Sequence, residues 1–275
     1  MHSVSRGRAV EYRCIRHINI TPVTTELEMN TTDTFAPHKW IRDAYPNGVS
    51  AEHLEQIKGI SRLLMRFESI GTGCRFGFVQ RFYNCEPISL LRWAGVSVED
   101  LANGLDSGWG DIADPANMRL EYRKDLGHFL FIVDRYRLIF HTEEADPQGD
   151  ISALTDKLAK RTKFLVRKFF EDLRNYEKYL VLFIDQFDVP FEKIDVLCQK
   201  IFGYNQNNKI LFVRKSRDEA LVGTISEHSP NILFGYISER DERLDDGFFW
   251  PDWIKLCQKT DIHWQTSKQH DASTS

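Results

Sequence analysis

Cys74 stands directly after Gly71-Thr72-Gly73, where a short apolar run, Phe67-Glu68-Ser69-Ile70, gives way to residues with helical spacing. A thiol at the start of a helix is chemically usable, because the unpaired N–H groups of the first turn and the helix dipole favour the thiolate. Glycines in such a turn let a substrate or an anion approach the backbone closely, so Gly71 and Gly73 are candidate ligand-binding positions. The same residues have a plainer reading: the apolar run is a buried strand, the glycines satisfy the sterics of its turn, and Cys74 packs as a small apolar side chain. The turn has neither the Lys-Ser/Thr that closes a P-loop nor the spacing of a GxGxxG dinucleotide fingerprint. Just beyond it, Gln80, Arg81, Glu86 and Arg92 are polar residues set among Phe78, Phe82, Leu90 and Leu91. Two arrangements fit them: an internal salt-bridge network tying the helix to the next segment, or a polar pocket in which Arg81 and Arg92 bind phosphate.

The elements that must hold these groups follow from periodicity. Leu54, Ile57, Ile60 and Leu64 recur at helical spacing after Ser50, a ready N-cap, and Phe78, Val79 and Phe82 form the apolar face of a helix opening near Cys74. A short helix is expected over 97–105, followed by loops around Gly108-Trp109-Gly110-Asp111 and Asp114-Pro115. Runs at 118–122, 129–133 and 138–141 predict adjacent strands, with a hairpin turn at Asp134-Arg135. Asp150 caps a long helix striped by Ile151, Leu154, Leu158, Leu165 and Phe169, whose lysines and arginines form a solvated face. Buried strands at 179–184 and 209–213 flank a helix carrying Ile194, Leu197 and Ile201, and a further strand at 232–237 continues the pattern. Trp250-Pro251-Asp252-Trp253 leads into a terminal helix whose aromatics close the core. Alternation of helices with short apolar strands predicts an α/β fold with a mixed or mostly parallel central sheet flanked by helices. Residues 1–50 read as an N-terminal extension, 51–265 as one α/β domain and 266–275 as a polar, disordered tail.

Composition narrows the functional classes. The 275 residues, 42% of them hydrophobic, are enough for a substantial core, and 36 Lys and Arg against 40 Asp and Glu leave a net charge of −4 with no general attraction for nucleic acid. Cys14, Cys74, Cys85, Cys198 and Cys257 are odd in number and scattered, without a CxxC pair or zinc-finger spacing, so neither a disulfide framework nor a structural metal is expected. The opening residues lack the apolar segment of a signal peptide, and no stretch approaches the ~20 apolar residues of a membrane-spanning helix. A reducing, cytoplasmic setting follows, with no cofactor implied.

Ser69-Ile70-Gly71-Thr72-Gly73-Cys74, Leu90-Leu91-Arg92-Trp93, and Leu138-Ile139-Phe140-His141 ahead of a long helix together resemble a bacterial family of uncharacterised proteins that carries a papain-like cysteine peptidase label. The resemblance covers about residues 67–215. It implies Cys74 as nucleophile and His141 as general base in acyl transfer, with backbone N–H groups near Gly73 and Cys74 holding the oxyanion. The third, orienting group is then Asp185, at the end of the strand at 179–184, with Asp188 and Glu143 as substitutes. His128 is a competing base, placed at the opposite strand end from His141 because it begins its apolar run. Relatives in surface-polysaccharide assembly, some fused to glycosyltransferase-type modules, point to a small-molecule or glycan-linked substrate. The alternative is a glycosyltransferase-like or nucleotide-sugar-binding accessory domain with no covalent role for the cysteine, although no DxD metal motif stands out. A non-enzymatic interaction module, engaging partners through the extension and the aromatic C-terminal segment, is the third possibility.

Overall fold

The computed structural model describes residues 50–142, 144–184, 189–239 and 250–273, the last seven of these as backbone only. Ser50 caps α1 (Ala51–Leu64) by accepting the His53 N–H at 3.2 Å, and β1 (Phe67–Ser69) follows within a turn. Gln80, on α2 (Arg75–Phe82), is fully buried and donates to the carbonyls of Leu64 and Phe67, which fastens α2 to the junction of α1 and β1.

Two sheets share the chain. β1 lies at one edge of a five-stranded sheet in the order β1-β6-β7-β9-β8, built with β6 (Tyr179–Phe183), β7 (Lys209–Ser216), β8 (Ile225–Ser229) and β9 (Ile232–Ser238). All neighbours are parallel except β8, which pairs antiparallel with β9. The fold is therefore α/β with a mixed, mostly parallel main sheet, as the alternation of elements predicts. The runs at 118–141 do not join that sheet. They form β3 (Met118–Arg123), β4 (His128–Val133) and β5 (Leu138–His141), an antiparallel meander that the short β2 (Ala94–Gly95) completes on the β5 side. The four-residue connections at 124–127 and 134–137 are too short for a crossover and permit only antiparallel pairing.

Period-two alternation sends side chains of the main sheet into two cores. Leu180, Leu182, Ile184, Ile210 and Phe212 point toward α3 (Val98–Asp106), α4 (Ile151–Asn175) and α5 (Phe191–Tyr204). Val181, Phe183, Leu211, Val213 and Leu233 point toward α1, α2 and α6 (Pro251–Ser273). Both faces are covered, which accounts for the near-continuous apolar runs of β6 and β7. Asp150 caps α4 by accepting the Ala153 N–H at 3.0 Å, and Trp253 and Trp264 of α6 are fully buried in the second core. α6 continues to Ser273, into the stretch read as a tail, because no proline or glycine interrupts it after Pro251. The extension expected at 1–50 lies, apart from Ser50, outside the described residues. Among the described residues no helix is long and apolar enough to cross a membrane.

Candidate functional site

The carboxyl end of β1 is where the chain prepares Cys74. After Ser69 the backbone keeps to β6 for three more residues, with the N–H of Ile70 donating to Val181 O at 2.9 Å and that of Thr72 to Phe183 O at 3.0 Å. At Gly71 an added Cβ would sit 2.6 Å from Phe183 O, so the close approach itself requires glycine there. Gly73 is different: a Cβ would meet nothing within 4 Å. Cys74 then occupies the N-cap of α2, its carbonyl accepting the Phe78 N–H at 3.0 Å and its side chain only 7% exposed. The residue thus opens α2 at the end where the helix dipole favours negative charge, although its side chain makes no capping hydrogen bond to the first turn.

The topology gives this point a second property. From β1 the chain leaves toward the α1, α2 and α6 face, whereas from the adjacent β6 it leaves toward α5 on the opposite face. Neighbouring parallel strands whose connections diverge to opposite faces open a crevice at their carboxyl ends, the position at which open α/β sheets take ligands. Asp185, like Asp188 and Glu143, lies outside the described residues.

His141 is on the other sheet. Its backbone N–H donates to Trp93 O at 3.1 Å, and the Trp93 ring meets that of Phe78, one turn along α2 from Cys74, at a centroid distance of 5.2 Å. The ring hydrogen bond of His141 goes to His128, with Nδ1 3.0 Å from His128 Nε2. The expectation that His128 lies at the opposite strand end is corrected by the antiparallel hairpin: Leu130 is the register partner of His141, so His128, two residues earlier on the same face, stands at the same end of the pair. The pair has a definite proton arrangement when neutral. His128 Nδ1 is 3.1 Å from Leu126 O, an acceptor only, so Nδ1 carries the proton and Nε2 offers its lone pair. His141 Nδ1 then donates to it, which leaves the lone pair of His141 on Nε2. A triad's orienting carboxylate imposes the same tautomer on its base. The signal for this was present in the sequence as two histidines bracketing a predicted hairpin.

Arg81 and Arg92 are brought together, and around Glu86. Arg92, 2% exposed, pairs with Glu86 and donates to Cys85 O at 2.9 Å and Gly77 O at 3.3 Å. Arg81 Nε donates to the other Glu86 oxygen at 2.9 Å, and both guanidinium groups lie over Trp93, at 4.1 Å for Arg81 and 4.7 Å for Arg92. Of the two arrangements open to these residues, the internal network is the one present. Arg92 acts as a strut between α2 and the segment after it, with its donors directed at protein rather than at a phosphate.

The other described cysteines are buried, as Cys74 is, but do not open a helix at a strand's carboxyl end. Burial pushes the Cys85 and Cys198 thiols up to about 12 and raises that of Cys257 as well, so all three stay protonated near neutrality. Among the described residues no three His, Cys, Asp or Glu side chains converge as a metal site. Comparison of the chain with protein-family models, with curated proteins and with solved structures returned no match.

Proposed function

We propose that the chain is a cysteine-dependent acyl-transfer enzyme, a hydrolase or acyltransferase, in which Cys74 is the nucleophile and His141 the general base. The observation that carries this reading is the place of Cys74, at the N-cap of α2 just beyond the carboxyl end of β1, where the helix that follows β1 and the helix that follows the adjacent β6 pack on opposite faces of the sheet. In the proposed reaction the thiol proton passes to His141 Nε2 and Cys74 Sγ forms a bond to the substrate carbonyl carbon. The oxyanion meets the first-turn N–H groups of α2, and collapse of the tetrahedral intermediate expels the leaving group, which takes the proton back from His141. Water or another acceptor, deprotonated by His141, then breaks the thioester and restores the thiol. His128 is a positioning residue that holds His141 in the tautomer the reaction needs. A glycan-linked acyl substrate and a surface-glycan setting rest on the family resemblance alone.

The test is the pH dependence of Cys74 alkylation by iodoacetamide, read by peptide mass spectrometry. Cys85, Cys198 and Cys257 do not compete near pH 7, because burial holds them as thiols. The expected result is a midpoint at least about one unit below the ~8.5 of an ordinary thiol, moved upward in His141→Ala. A rate that rises only above pH 8.5 and ignores His141→Ala overturns the proposal.

A further inference from the structure

Two strands over from β1, at the same carboxyl edge of the main sheet, the structure holds a cavity of about 230 Å³ that the acyl-transfer reading does not use. Its floor comes from two cross-strand pairs of β7 and β9, Phe212 beside Phe234 and Arg214 beside Tyr236. Phe191, the first residue of α5, forms a wall, its ring 5.6 Å from that of Phe234 and nearly perpendicular at 83°. A register irregularity in β8 between Glu227 and Ser229 sends the His228 ring onto the same cluster, 4.8 Å from Phe191 and 5.0 Å from Phe234. Bulges of this kind re-aim side chains beside binding sites.

Arg214 is the polar group in this aromatic setting. Its Cζ lies 4.8 Å over the Phe212 ring, and Nη2 reaches Val189 O only at 3.5 Å. Among the described residues no carboxylate pairs with it, in contrast to Arg81, Arg92, Arg137 and Arg217, each of which has one. A half-buried guanidinium without a counter-ion is an anion receptor, and its planar fork matches a carboxylate in two parallel hydrogen bonds. The rings supply flat apolar faces for a planar group. A volume below the ~300–1,000 Å³ of drug-sized sites fits one ring with its acid and leaves no room for a nucleotide sugar.

We propose that this pocket binds single-ring aromatic carboxylic acids, with the ring against Phe191, Phe234 and Tyr236 and the carboxylate on Arg214. The test measures binding of benzoate and nicotinate, with benzamide, nicotinamide and uridine monophosphate as competitors in charge and size, by calorimetry and saturation-transfer NMR. The acids are expected to bind with about a tenfold preference over their amides, the worth of a charge-assisted pair. Arg214→Gln should abolish the preference, and Arg214→Lys, which keeps the charge and loses the fork, should retain part of it. Cys74→Ala should bind as the wild type does, so failure here and failure of the acyl-transfer reading are separable. The proposal is overturned by no binding at millimolar acid, by equal binding of acids and amides, by tighter binding of uridine monophosphate, or by an unchanged preference in a folded Arg214 variant.

Discussion

Arg92 and Glu68 are both almost sealed from solvent, at 2% and 1% exposure, and both belong to the region that carries Cys74. The two Nη groups of Arg92 are furnished with acceptors, the carbonyls of Gly77 and Cys85 and the Glu86 carboxylate, and its plane lies over Trp93, while its Nε finds no hydrogen-bond partner among the described residues. Glu68, in the middle of β1, has no hydrogen bond to either carboxylate oxygen among the described residues. Its nearest cation, Lys178 Nζ, is 3.8 Å away, and Lys168 is engaged with Asp172. Burial pushes the Glu68 carboxyl up to about 7, Lys178 draws it back and Asp172 adds to the rise. The difference follows from what backbone can offer. The Gly77 and Cys85 carbonyls face the Arg92 guanidinium, whereas among the described residues no backbone N–H reaches the Glu68 carboxylate. One buried charge is held by its partners; the other escapes its cost by taking up a proton.

The largest effect expected from this contrast is at Arg92. Arg92→Ala leaves a cavity in place of a buried side chain, takes the donor from the Cys85 carbonyl and leaves Glu86 to Arg81 alone, so urea denaturation should show a loss of about 3–5 kcal/mol. A loss under about 1 kcal/mol would mean that Arg92 is no better held than a surface ion pair.

Glu68 should behave in the opposite way, and with a pH signature. Its folded pKa lies above its unfolded value, so the native state binds the extra proton; the contribution of this group to stability is full below pH 4.5, is lost as pH rises to about 7, and levels beyond. Glu68→Gln removes that dependence. Its stability relative to wild type should improve by up to about 3 kcal/mol between pH 4.5 and 7, measured as the difference in denaturation midpoints, and a difference that stays constant across this window would refute the account. The smallest effect belongs to Arg81→Ala, whose bond to the half-exposed Glu86 and contact with Trp93 are lost while Arg92 keeps Glu86 paired. Thermal melting should register about 1 kcal/mol or less.

Much of the frame is legible in local chemistry. Ser50 and Asp150 cap their helices, the Gly71 turn separates β1 from α2, and the apolar runs at 179–184 and 209–213 become neighbouring strands covered on both faces. β2 escapes notice, since two residues carry no period, and so does β8, whose residues alternate too weakly to read. At the candidate site, Cys74 at the head of α2 is readable because helix initiation is local. The pocket at Arg214 is not, since its floor joins strands that the sequence separates by 15 or more residues.

The chain's own order of residues thus determined the helices and all the strands but β2 and β8, that the main sheet is largely parallel, and that a cysteine opens α2. Tertiary structure alone decided that residues 118–141 build a second sheet, that His128 faces His141, that the Arg92 Nη groups are spent inside the protein, and that Arg214 has no carboxylate partner among the described residues. The division has one physical cause. Periodicity, caps and turns act over a few residues and are written along the chain, whereas the partner of a charged or titrating side chain is set by which distant segments pack against it.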